Sequence, residues 1–190
     1  MQGDLFVGAT GAPDEKDAVE QEIDLRGRAS AVGYFVTMLA ENLGNGERAE
    51  LRRAHPEEPY SPALWRLLAG RDDLRVASDE DVARWGVFLA ALSQGYELHD
   101  WKAPLGQALH EAGYSELRLT RLLRASPEQL SSEVRGVARF ISSKRVKVNW
   151  AELADLLFNA PDEESGKRTR RAIARRYYSA EYHSKSAREI

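Results

Sequence analysis

The amino-acid sequence predicts an all-α protein, a compact helical bundle of about eight or nine helices. Three observations carry that prediction. Side chains able to cap free N–H groups recur just before apolar runs of helical period. Alternation of apolar and polar residues, the mark of a half-buried strand, is nearly absent. At 190 residues and 43% hydrophobic content, the chain can bury one good core or two small ones.

Residues 1–25 are acidic and lack the positive n-region and apolar h-region of a secretory signal, so they read as a poorly ordered extension. A first helix is predicted from Arg28 to Leu43 and a short one after Asn45. Ser61-Pro62 opens ALWRLLAG, with Gly70 at its end. Ser78 opens DEDVARWGVFLAALSQG, whose first turn holds Asp79, Glu80 and Asp81, where the helix dipole favours acids. PLGQALHEAG forms another helix. Ser115 precedes ELRLTRLLRA, and Ser126-Pro127 precedes EQLSSEVRGVARFI. Asn149, with Glu152 three residues on, makes a capping-box-like start to WAELADLLF. A last helix begins near Asp162. The organisation is one bundle, or two sub-bundles over 26–100 and 101–190, the second basic, divided between Asp100 and Pro104. Trp65, Trp85, Phe88, Phe140, Trp150 and Phe158 lie in amphipathic segments and are expected in the core.

Cysteine is absent, which excludes disulfides, thiolate zinc sites and cysteine nucleophiles, and no apolar run approaches membrane-spanning length. The chain therefore reads as cytoplasmic. His55, His99, His110 and His183 are widely spaced and form no HExxH or short ligand pair. Gly44-Asn45-Gly46 lacks the flanking strand and third glycine of a nucleotide loop, and neither GxxxxGK[ST] nor GxSxG occurs. No metal, cofactor or catalytic residue is predicted.

The formal net charge of −3 conceals an uneven distribution. From Glu116 to Lys147 eight bases face only Glu116, Glu128 and Glu133, and the last helix adds Lys167, Arg168, Arg170, Arg171, Arg175 and Arg176. At 100° per residue, Arg118, Arg121 and Arg124 lie broadly opposite Leu119, Leu122 and Leu123. In the next helix Leu130, Val134, Val137 and Ile141 form the buried side, with Arg135 and Arg139 across from them. Arg168, Arg171 and Arg175 repeat the arrangement. Three basic faces suit phosphate oxygens. They are equally compatible with ordinary solvated surfaces, or with neutralising the acidic N-terminal region. Tyr177, Tyr178 and Tyr182, interleaved with arginines, suit base stacking, core packing or subunit packing, and core or subunit packing is the stronger reading.

The order NGERAELRR, ALWRLL, PLGQALHEAGYSELRLTRLLRA, a helix ending in Arg139, then VNWAELADLLF and SGKRTRR resembles the CasB family, the small subunit of the type I-E CRISPR Cascade surveillance complex. The resemblance spans residues 28–178. It implies a non-catalytic, all-helical subunit, present as two copies beside other Cascade subunits, that binds guide RNA and target DNA and stabilises the R-loop and its displaced strand. Carried over by position, it implies nucleic-acid contacts at Arg53, Arg124, Arg139, Lys167 and Arg168, and more weakly at Arg52. Arg118, Arg121, Arg135 and Arg171 rest on the helix faces alone. The acidic extension departs from compact family members, and Asn149 stands where aspartate is common. The alternative is a helix-turn-helix regulator, with Arg135 and Arg139 entering a major groove. A protein-only scaffold is a third option.

Overall fold

The computed structural model describes residues 15–54, 61–71, 74 and 78–186, with side chains from Arg26 onward. Nine α-helices lie among the described residues: α1 (Glu15–Glu41), α2 (Asn45–Arg53), α3 (Pro62–Ala69), α4 (Asp79–Leu92), α5 (Leu105–Glu111), α6 (Glu116–Arg124), α7 (Pro127–Lys144), α8 (Trp150–Phe158) and α9 (Glu163–Ser186). A short 3-10 turn at Tyr96–Leu98 joins α4 to α5. Among these residues there is no strand, only one parallel bridge between His99 and Val148. The all-α prediction holds.

Four helices start where the hydroxyl caps placed them. The side chains of Ser61, Ser78, Ser115 and Ser126 accept from the backbone N–H of Leu64, Asp81, Arg118 and Gln129 at 3.2 to 3.4 Å. Gln129 completes a capping box by accepting from the Ser126 N–H at 3.2 Å. At α8 the expected box is only half formed. Asn149 accepts from Ala151 N–H at 3.0 Å, but Glu152 turns to α5 and accepts from Leu105 N–H at 2.9 Å. Pro104, the residue before α5, offers no side-chain cap, so a carboxylate from a neighbouring helix serves instead. The first helix also departs from expectation, beginning at Glu15 rather than near Arg28. The run EKDAVEQE is built of good helix formers with acids at the positive end of the dipole, which sustains a helix without an apolar stripe. The rest of the predicted extension, residues 1–14, lies outside the described residues.

Buried side chains from Ala31 to Tyr177 form a single apolar cluster. Trp85 stands near its centre, edge-on to Phe35 at 5.4 Å between ring centroids and tilted against Phe158 at 4.5 Å. Phe88 and Trp150 are buried, as expected, and Phe140 and Phe158 are half-buried at the margin. Trp65 is the exception, 43% exposed. On α3 the buried arc is filled by Ala63, Leu64, Leu67 and Leu68, and Trp65 points about 130° away from its centre. An apolar count for the helix conceals that geometry.

Trp150 ties two distant segments together. Its Nε1–H donates to the Gly95 carbonyl at 2.9 Å and its backbone N–H donates to His99 Nδ1 at 3.3 Å. Beside it, Val148 N–H donates to Leu98 and Asp100 N–H to Val148. The whole indole is shielded from solvent. On the far side, α9 lies along α5 at close range: a Cβ on Gly106 would stand 2.9 Å from the Tyr177 nitrogen and closer still to the Ile173 carbonyl. The Tyr177 hydroxyl donates to the Tyr114 carbonyl at 2.6 Å. Arg28, buried on α1, donates to Asp155 at 3.1 Å and Asn159 at 2.7 Å and so pins α1 to α8.

Two outcomes follow from the Trp150 junction. Trp150→Ala is expected to lower the unfolding free energy by about 3 to 5 kcal/mol, measured by urea denaturation. The His99 ring accepts a hydrogen bond at Nδ1 and is therefore neutral there; burial pulls its pKa below the ordinary value, opposed by the Asp100 carboxylate. The unfolded chain thus takes up this proton first as pH falls. Its contribution to stability is complete above about pH 6.5 and is lost progressively below it. Wild type is expected to lose more stability between about pH 6.5 and about pH 5 than His99→Gln does, compared by denaturation at each pH.

Candidate nucleic-acid interface

Helices α2, α6, α7 and α9 supply the predicted basic residues. At the end of α2, carbonyls lack intrahelical donors, and Arg135 of α7 fills that need. One of its Nη groups donates to the carbonyls of Arg52 at 3.0 Å and Ala54 at 2.9 Å. This seats Arg52 and Arg53, both exposed, beside the α7 face that carries Arg139, also exposed. Arg53 turns its Nε back to the Ala49 carbonyl at 3.1 Å, leaving its other guanidinium nitrogens for further acceptors. Burial first, and the like charge of Arg139 second, push the Arg135 guanidinium below its ordinary value. Its neighbour one turn on stays at the surface.

Helix α6 packs against both α7 and α9. Leu119 and Leu122 are buried and Leu123 half-buried, as the face argument required. Arg118 lies over the Phe140 ring at 5.3 Å, which Lys144 also approaches, at 5.9 Å. Arg121 pairs with Glu133 of α7 at 2.7 Å. Arg124, exposed, closes the helix, and Arg170 of α9 donates to the next carbonyl, that of Ala125, at 3.1 Å. Acid pairing therefore accounts for Arg121, with a partner on α7 rather than in the N-terminal region.

On α9, Lys167 pairs with Glu163 at 2.5 Å and Glu164 at 3.6 Å in its own first turn. The hydrogen bond to Glu163 raises the lysine pKa and lowers that of the carboxyl. Such exposed pairs exchange readily with solvent and with competing anions. Arg168 lines a cavity of about 240 Å³ with Arg28, Asp155, Asn159 and Arg176. Arg171 is exposed on the adjoining stripe. The structure thus gathers Arg52, Arg53, Arg135 and Arg139 at the α2–α7 edge, and links Arg124 to α9 through Arg170. Among the arginines with structural partners that sequence reasoning did not single out are Arg28 and Arg170. Arg170 had a signal, since it precedes Ile173 by three residues and so shares its buried side. Arg28 had none.

The regulator alternative loses a reading residue here. Arg135 is held by the α2 carbonyls and half-buried, so it is not available to a base edge in a groove. Among the described residues no group of His, Asp or Glu side chains could hold a metal ion, and no helix is long and apolar enough to cross a membrane.

The family model described as CRISPR-associated protein Cse2 matches residues 47–178. The chain belongs to the Cse2 family. Its fold is similar to that of a Cse2-family CRISPR-associated protein from Thermus thermophilus, with a TM-score of 0.66 and 19% identity over 80% of this chain and 98% of that one. It is also similar to a chain in E. coli Cascade bound to a PAM-containing dsDNA target, with a TM-score of 0.57 and 23% identity over 80% of this chain and 93% of that one. A chain of a CRISPR RNA-guided surveillance complex gives 0.61 and 19% identity over 86% and 98% of the respective chains. No curated protein matches the chain. All ten predicted basic residues fall inside the span that matches the Cse2 model.

The two arginines of α7 are expected to behave differently when truncated. Arg135→Ala leaves two carbonyls without their donor and should lower the unfolding free energy by about 1 to 2 kcal/mol. Arg139→Ala should stay within about 0.5 kcal/mol of wild type. Urea titration of both variants checks the difference.

Proposed function

We propose that this Cse2-family chain is the non-catalytic small subunit of a type I-E Cascade surveillance complex and stabilises the R-loop by holding strands through backbone charge. The observation that carries this reading is the family match over residues 47–178, which takes in α2, α6, α7 and most of α9, the helices that bear the basic residues. Guide pairing reads sequence in such complexes, and the protein contributes sequence-tolerant contacts to phosphates. Arg139 and Arg53 at the α2–α7 edge, Arg124 at the end of α6, and Lys167 with Arg168 on α9 are the phosphate contacts of the displaced strand. Arg52, Arg118 and Arg171 extend that surface. Arg135 and Arg121 contribute positive potential while serving the packing of α2, α6 and α7. The partners are other Cascade subunits, a second copy of this chain, guide RNA and target DNA.

Replacing Arg139, Lys167 and Arg168 together by alanine is expected to lower the salt slope of single-strand affinity by about 2, at about 0.7 per phosphate contact. In the assembled complex the triple variant should incorporate normally and shorten the R-loop lifetime on a matched target. An unchanged slope and lifetime would overturn the reading and leave these helices as solvated faces.

A further inference from the structure

An exposed stripe of α9 carries Arg171 and Arg175, then Tyr178 and Tyr182. Tyr178 is 43% exposed and Tyr182 71% exposed. Neither ring belongs to the core, which corrects the core half of the packing expected from sequence, and neither is loosely placed. Tyr178 meets Tyr177 edge-on at 5.3 Å, and Tyr177 is itself buried, held by the Tyr114 carbonyl and by the His110 ring at 5.4 Å. Tyr182 meets the His183 ring edge-on at 6.0 Å, and His183 Nδ1–H donates to the Ser179 carbonyl at 2.6 Å. Each tyrosine is thus braced along one edge while its surface faces solvent.

The chemistry of the stripe selects its occupant. The acids of α9 are engaged by lysines: Glu163 and Glu164 pair with Lys167, and Glu181 pairs with Lys185 at 2.7 Å. No Leu, Ile, Val or Met stands on this stripe to build the apolar centre of a protein interface. Cations followed along the axis by planar rings match a strand whose phosphates meet the first part of the stripe and whose next unpaired bases lie on the second. Residues four apart on a helix are separated by about 6 Å along its axis, close to the rise of two stacked nucleotides at about 3.4 Å each.

We propose that α9 from Arg171 to Tyr182 is a stacking platform for unpaired bases of a single nucleic-acid strand, with Tyr178 and Tyr182 against base faces and Arg171 and Arg175 on the adjoining phosphates. The proposal rests on the nucleic-acid reading above and adds to it a contact with bases. That addition separates the two experimentally. The probes are oligothymidylate and an abasic phosphodiester strand of equal length, titrated against the full chain by fluorescence anisotropy.

Wild type is expected to bind oligothymidylate about tenfold or more tightly than the abasic strand. Tyr178→Leu with Tyr182→Leu should reduce oligothymidylate affinity to the abasic level and leave abasic affinity unchanged, whereas the double phenylalanine variant should retain the preference. Arg171→Gln with Arg175→Gln should lower the salt slope for both strands by about 1.4. Equal binding of the two strands by wild type, with a strong salt slope, overturns the platform and leaves the backbone reading standing. No binding of either strand overturns both. An unaltered base preference in the double leucine variant, accompanied by loss of incorporation into the complex, overturns the platform in favour of a protein contact.

Discussion

The buried indole of Trp150 is the contact on which the arrangement of the other helices depends. It occupies the first position of α8, yet its ring nitrogen reaches the turn after α4 and its backbone nitrogen reaches His99. The link between α7 and α8 is thereby fastened to the link between α4 and α5. Four helices take their relative positions from that crossing, and α9 is then laid along α5 and α8. A buried ring that both fills volume and satisfies a carbonyl is more specific than apolar burial alone, because its polar atom admits few orientations.

Arginine performs two different tasks in this fold, and burial separates them. Arg28, Arg135 and Arg170 reach across helix boundaries to carbonyls or polar side chains, and each joins elements far apart in sequence. Arg52, Arg53, Arg124, Arg139 and Arg171 stand at the surface. The guanidinium group suits both tasks because its five donors lie in a fixed plane. A structural arginine beside a surface one also raises the local positive potential without any additional exposed charge. Arg135, held below its ordinary value by burial first and by the charge of Arg139 second, adds to the potential beside Arg139 in this way.

Helix starts were legible in the sequence because a cap is a local device: Ser61, Ser78, Ser115 and Ser126 each act within three residues of themselves. The buried faces of α6 and α7 were legible for the same reason, since helical period is local. What escaped depended on tertiary neighbours. Glu152 looked like half of a capping box because nothing in the sequence shows that Leu105 lies beside it. Trp65 looked like core because the width of a buried arc depends on what packs over it. Among the basic residues, their presence on faces was legible, while the division between Arg135 and Arg139 was not, because it is made by the end of α2, which is more than eighty residues away in the chain.

Gly106 has a bearing on distant relatives of this chain. The backbone of α9 passes so close to it that no side chain fits between the two helices without moving one of them. Where another sequence of similar design places a larger residue at the matching point, its last helix must stand off by the thickness of that side chain or rotate to avoid it. The residue type at this one close backbone contact is therefore a simple test of whether two such proteins hold their terminal helix in the same register. It can be read in an alignment before any comparison of surface charge is attempted.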